Sequence, residues 1–264
     1  MKKRNILSLT VFLVVSIIHS PVTYSQNSDP GKKGVRTIYL VRHGQYDHSD
    51  KRDAFTGRGL VPLGVAQARL LASRLKAMPV SFTSLTSSTM TRARETAQVV
   101  GRDFPGLELK QNPSISECTP PTWRQDVMRE ATAAEREECV SNIERFFQEF
   151  FVPSPDALDR HDIVVCHGNV IRYFVAKVLR VDTLSWLQMS ITNCSLTIVR
   201  ILPDGTMKLD AFGDYGHIPE NLRTFTGGDD ESKELIVPST SSAKGSGEQS
   251  HGFGAAIFQG QPGQ

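Results

Sequence analysis

The chain has 264 residues, 39% of them hydrophobic, with 30 lysines and arginines against 28 aspartates and glutamates. That length can bury one substantial core, so the expectation is a single domain with appendages. A net charge of +2 is too balanced for a nucleic-acid surface or a polybasic membrane patch, and charge alone names no partner.

Lys2, Lys3 and Arg4 precede an apolar run from Ile6 to Ile18, followed by Pro21 and Ser25. That is the order of a secretory signal peptide, and cleavage near Ser25 would make the protein secreted or extracytoplasmic. The alternative is an uncleaved anchor, which would associate residues 1–25 with a membrane. The run stops at His19, however, short of the roughly 20 apolar residues a bilayer core requires. Residues 26–34 read as a polar linker and residues 226–264, rich in Gly, Ser and Gln, as a disordered tail, leaving 35–225 as the folded domain. No internal repeat is visible.

Thr37 to Val41 is a nearly continuous apolar run suited to a buried strand. Val65, Ala68, Leu71, Ala72, Leu75 and Met78 then recur at the spacing of one helical face, and Pro79 closes that helix. A second strand is expected over Val80 to Thr86, a helix over Met90 to Val100, and a short strand at Leu107 to Lys110. Beyond a proline-rich stretch comes an amphipathic helix around Val140, Ile143, Phe146, Phe147 and Phe150. Asp162 to Cys166 gives a third buried strand, with a helix from Val170 to Leu179 behind it. Ser195 to Leu202 and Thr206 to Phe212 flank Pro203, Asp204 and Gly205 as a hairpin at a sheet edge. The pattern predicts an α/β three-layer sandwich with a mostly parallel central sheet.

Such sheets hold their ligands beyond the carboxyl ends of the strands. His43 ends the first strand and His167 the third, each followed by a glycine whose backbone N–H can approach an anion unobstructed. Arg42 beside His43, and Arg92 at the start of a helix that follows another strand, add forked donors suited to a phosphoryl group.

Arg42, His43 and Gly44 resemble the signature of the histidine phosphatase superfamily, which also contains phosphoglycerate mutases. Leu60, Pro62, Leu63, Gly64, Gln67 and Ala68 are similar to the start of that family's first helix. Ser87, Ser88, Met90, Thr91, Arg92, Ala93, Glu95 and Thr96 are similar to its second arginine motif. Cys166 to Tyr173, Pro203 to Gly205, and Gly213, Asp214 and Pro219 are most like its branch of mitochondrial protein serine/threonine phosphatases. The resemblance implies a phosphoglycerate mutase-like fold and makes a mitochondrial membrane anchor the alternative reading of residues 1–25. Gly44 and Cys118 depart from the residues of that branch.

By the same resemblance, His43 would be the nucleophile and Glu117 the proton donor, while Arg42, Arg92 and a protonated His167 would hold the phosphate. A neutral imidazole attacking phosphorus, fixed positive donors on the equatorial oxygens and an acid at the leaving oxygen make up a metal-independent phosphomonoester hydrolysis. No cofactor is implied, and no ligand set of His, Asp and Cys is visible. Glu130, Glu135, Glu137 and Glu138 lie downstream of Glu117. Glu95 reads as a helix-pairing acid and Arg94 as solvent-facing.

Cys118, Cys139, Cys166 and Cys194 could form two disulfides or remain thiols, with Cys118 beside the acid open to oxidation. The short segment from Cys118 to Arg129, with Pro120 and Pro121, offers little material for a lid. The expected substrate is therefore a phosphorylated protein, with a small phosphomonoester as the competitor and a weakly active phosphoprotein-binding scaffold as a third reading. Oligomeric state is not legible.

Overall fold

Arg36–Arg42 form the first strand, β1, whose side chains alternate between two apolar surfaces: Ile38 and Leu40 face one core cluster, Tyr39 and Val41 the other. A strand covered on both faces must carry apolar residues in succession, which is why 37–41 reads as an unbroken run. The computed structural model describes residues 33–47, 49, 57–129 and 131–225. The targeting segment, most of the linker and the tail expected from the sequence lie outside them.

Five further strands, β2 (Ser84–Ser87), β3 (Leu109–Gln111), β4 (Arg160–Cys166), β5 (Leu196–Ile201) and β6 (Met207–Asp214), complete a sheet of order β3-β2-β4-β1-β5-β6. The first four in that order are parallel, whereas β5 runs antiparallel to β1 and β6 antiparallel to β5. The predicted hairpin thus forms at the edge, and it makes a mostly parallel sheet mixed. Residues 78–83 lie outside the strand predicted from Val80. The chain bends there after Pro79, and Phe82 packs edge-on against Tyr39 at 5.0 Å.

Helices α1 (Pro62–Lys76) and α2 (Thr91–Gly101) cover the Tyr39 and Val41 face, burying Leu71, Leu75, Ala93 and Ala97. A single turn, α3 (Gln125–Met128), leads to α4 (Ala133–Phe150), which with α5 (Gly168–Leu179) covers the opposite face. The helix α4 begins where it does because the Thr132 hydroxyl accepts from Glu135 N–H while the Glu135 carboxylate accepts from Thr132 N–H. That reciprocal cap gives Glu135 a structural role. Ile143 and Phe146 then enter the core, where Phe146 stacks on Phe150 and Phe174.

Cys118 and Cys139 form a disulfide across 21 residues, whereas Cys166 and Cys194 are buried thiols. One bridge therefore replaces the two the sequence allowed, and Cys118 is not a free thiol beside the acid. A loop of that length contributes about 3 kcal/mol by restricting the unfolded chain. It also ties the segment carrying Glu117 to α4.

Candidate active site

In the pairing of β1 with β4, Arg42 lies opposite Cys166. His43 and His167, one residue further on, are therefore brought side by side, with ring centroids 5.1 Å apart. His43 N–H donates to the Cys166 carbonyl at 3.0 Å, which closes the two strand ends together. The turn from β2 into α2 puts Arg92 in the first helical turn, where its Nε donates to His43 Nε2 at 3.1 Å. Glu117 arrives from β3 through the 3-10 turn Pro113–Ile115, capped by the Asn112 side chain. One ligand atom from each of His43, Glu117 and His167 lies within 4.8 Å of the others. All five residues singled out in the sequence thus meet in one crevice at the carboxyl ends of the parallel strands.

The bonds of His43 fix its tautomer. Nδ1 lies 2.8 Å from the Gly44 carbonyl oxygen, which can only accept, so Nδ1 carries the proton and Nε2 presents a lone pair to Arg92. Burial first, and then the charges of Arg92, His167 and Arg42, hold its pKa well below the usual imidazole range. His43 is 1% exposed, and its burial among these charges favours the neutral imidazole.

His167 departs from the expected protonated state. It is fully buried, and desolvation followed by Arg92 and Arg42 pushes its pKa well below the ordinary value. Its Nε2 lies 2.9 Å from Ser88 Oγ, which also accepts from Met90 N–H, while Nδ1 is buried without a hydrogen-bond partner among the described residues. When the Ser88 hydroxyl donates to Nε2 rather than to Ser116 Oγ, 3.4 Å away, Nδ1 carries the proton. A neutral His167 can therefore donate to an anion.

Arg42 Nη1 is anchored on the carbonyls of Ile191, at 2.6 Å, and Phe225, yet its Nε is a second buried donor with no partner among the described residues. An unmet buried polar group costs about 1–3 kcal/mol. Two such donors in a crevice that also holds Arg92 suit the binding of an anion. Burial raises the pKa of Glu117 above the usual carboxyl value, although Arg92, Arg42 and Arg172 all act to lower it. Desolvation dominates there, which keeps the carboxyl protonated further up the pH scale.

His43, Glu117 and His167 also amend the expectation that no metal-ligand set exists, since each offers a ligand atom. The guanidiniums of Arg42 and Arg92 act on all three residues, and that charge repels a cation and attracts a phosphate.

The family model described as Histidine phosphatase superfamily (branch 1) matches residues 38–153 and 155–214. The chain belongs to the histidine phosphatase superfamily. Its curated relatives include the serine/threonine-protein phosphatase Pgam5, mitochondrial, of Caenorhabditis briggsae, 38% identical over 201 residues, 72% of this chain and 67% of the relative. The human protein of the same name is 35% identical over 204 residues, 73% and 67% of the two chains. Among solved structures, a phosphoglycerate mutase of Bacillus anthracis superposes with a TM-score of 0.56 at 21% identity, covering 71% of this chain and 96% of that one. A phosphoglycerate mutase of Plasmodium falciparum gives 0.50 at 26% identity, with 71% and 96% covered. This histidine phosphatase is accordingly an enzyme, a phosphatase.

The relatives are named as mitochondrial, which overturns the reading of residues 1–25 as a secretory signal and of the protein as secreted or extracytoplasmic. A basic stretch ahead of a short apolar run does not say which membrane reads it. Among the described residues no helix is long and apolar enough to cross a membrane.

Residues around the reacting groups hold this histidine phosphatase site together, and one of them, Asn193, lies outside every motif noted in the sequence. Asn193 Nδ2 donates to the His43 carbonyl at 2.9 Å, and Gln67 links Gln45 N–H to the Leu222 carbonyl. The Gly44 N–H, expected to face an anion, instead donates to Thr96 Oγ1 at 3.0 Å. Glycine is required at 44 for a different reason: a Cβ there would lie 2.6 Å from the Gly64 carbonyl oxygen. Glu95, read as a helix-pairing acid, in fact accepts from Leu60 N–H at 2.7 Å and secures the loop before α1. Arg94 is half-buried rather than solvent-facing.

Proposed function

We propose that this phosphatase removes phosphate from phosphoserine and phosphothreonine in proteins, without a metal ion, through a phosphohistidine on Nε2 of His43. One observation carries the chemistry: His43 is a neutral imidazole with Nδ1 fixed on the Gly44 carbonyl and its Nε2 lone pair held 3.1 Å from an arginine donor. On substrate binding, Arg92 exchanges Nε2 for a phosphate oxygen. Nε2 then forms the bond to phosphorus as the ester P–O bond breaks in line with it. Arg42, Arg92 and Nδ1–H of His167 hold the equatorial oxygens, supplying the charge neutralisation that other phosphoryl-transfer sites take from a metal.

Glu117 gives its proton to the departing alkoxide in the first step. As a carboxylate it then takes a proton from the water that attacks phosphorus and breaks the P–N bond, which restores both residues. Of the acids that compete for this role, Glu135 is engaged at the α4 cap and Glu130 lies outside the described residues.

Two features support a protein substrate. The relatives above are named serine/threonine-protein phosphatases. In addition, a cavity of about 680 Å³ adjoins Glu117, walled by Met90, Ser116, Thr119, Glu135 and Glu138. It has room for chain beyond the phosphorylated side chain, and its acids repel a small substrate bearing a second phosphate or carboxylate. In location we propose the mitochondrion, with residues 1–25 as a retained anchor.

The test is phosphate release, with chelator present, from phosphoserine and phosphothreonine peptides against a panel of small phosphomonoesters. Higher kcat/KM on the peptides is the expected result. Preference for a small ester would reassign the enzyme to metabolites, and turnover on none would favour a phosphoprotein-binding scaffold.

A further inference from the structure

Glu117 lies on a stretch with no regular structure, yet a general acid must be held to within a fraction of an ångström of the leaving oxygen. What holds it is α5. Asn169 N–H faces Glu117 Oε1 at 3.3 Å, and Asn169 Nδ2 donates to the Cys118 carbonyl at 2.9 Å, so one residue grips both the carboxyl and the backbone beside it. The amide of Asn169 is itself oriented, since its Oδ1 accepts from Arg172 Nη2 at 2.6 Å. A guanidinium can only donate, which leaves the amide one workable orientation: oxygen to Arg172, nitrogen to Cys118.

Arg172 is fixed in turn by bonds from Nε to the Gly168 carbonyl and from Nη1 to the Met189 carbonyl, each 3.1 Å, and by its position 4.9 Å over the Trp186 ring. The buried indole of Trp186 donates to the carbonyls of Pro120 and Pro121, at 3.3 and 3.0 Å, further along the same segment. Each Arg172 nitrogen thus bonds to protein, while its charge faces Glu117 and Arg42.

We propose that Asn169, its amide locked by Arg172, is the positioning residue that aims the Glu117 carboxyl at the leaving oxygen, and so sets how well the enzyme cleaves esters whose alkoxides leave poorly. The inference rests on Glu117 being the acid, and it assigns neither Asn169 nor Arg172 to the phosphate.

The experiment compares kcat/KM on a phosphoserine peptide, whose leaving group needs a proton, with p-nitrophenyl phosphate, whose leaving group does not. Asn169→Ala is expected to lose on the order of 10- to 10²-fold on the peptide and less than about threefold on the aryl ester. Added to Glu117→Gln it should cost nothing more, because the group it positions is already gone. Arg172→Lys keeps the charge and stem but loses the fork. It should reproduce the same selective loss at smaller size and keeps the test open if Asn169→Ala does not fold. Equal losses on the two substrates in folded variants, or losses that add to those of Glu117→Gln, would overturn the proposal and leave Asn169 a structural residue. A Glu117→Gln enzyme that shows no leaving-group dependence would instead remove the acid assignment beneath it.

Discussion

Glu117→Gln is expected to lower kcat/KM on a phosphoserine peptide by about 10² to 10⁴, the usual contribution of a placed acid, and on p-nitrophenyl phosphate by far less. An alkoxide is too basic to leave without a proton, whereas a nitrophenolate departs as the anion. The pH profile carries the same assignment with a definite sign. The proposed mechanism needs His43 neutral and Glu117 protonated, so activity is expected to decline as pH falls through the pKa of His43 and as pH rises through that of Glu117. Burial and arginine charge lower the first, and burial raises the second. After correction for substrate ionisation, the acid limb of kcat/KM should lie well below 6.5 and the alkaline limb above the ordinary carboxyl range near 4.3. Glutamine has no proton to lose, so the alkaline limb on the peptide should vanish with the rate. A profile that keeps that limb in Glu117→Gln would assign it to another group.

Arg92→Ala removes two contributions together, and they separate by measurement. Loss of a fixed donor to the transferring phosphoryl costs about 10²- to 10³-fold in kcat. Arg92 is also the leading charge that depresses the pKa of His43, after burial. Removing it lets that pKa rise, so the acid limb should move to higher pH. Arg92→Lys, which retains a charge but not the fork bonded to Nε2, should return the limb toward its original position while recovering only part of the rate. A limb that stays in place in Arg92→Ala would mean that burial alone sets the His43 pKa.

What the sequence disclosed follows from where its constraints are local. β1 and β4 are buried on both faces, so their runs are continuous and their last residues mark the crevice, which made Arg42, His43 and His167 visible. Arg92 was visible because it opens a helix directly after β2. Glu117 is a different case. No periodicity marks its segment, and its anchors are Met90, Asn169 and the bridge to Cys139, at separations of 27, 52 and, from Cys118, 21 residues. Four cysteines allow three full pairings, and only the packing of α4 against that segment selects Cys118 with Cys139.

The protonation of His167 is not legible in the sequence for a similar reason, because its state depends on Ser88, 79 residues earlier, and on burial among arginines. For Glu135 the sequence does carry a signal, since Thr132, followed three residues later by Glu135, has the spacing of a capping box. That spacing gives Glu135 a structural role and sets it apart from the acids competing with Glu117.

The central claim is a covalent bond between phosphorus and His43 Nε2, and rapid quenching into alkaline denaturant, which preserves phosphohistidine, tests it most directly. Wild type, Glu117→Gln and His43→Ala are each mixed with ³²P-labelled substrate, and the label is located by peptide mapping. The expected result is acid-labile label on the peptide containing His43. With labelled p-nitrophenyl phosphate, whose leaving group needs no acid, it should accumulate further in Glu117→Gln, where hydrolysis lacks its base, and on any substrate it should be absent from His43→Ala. Sustained turnover by His43→Ala, or by wild type with no label on His43 at any time, would contradict the account.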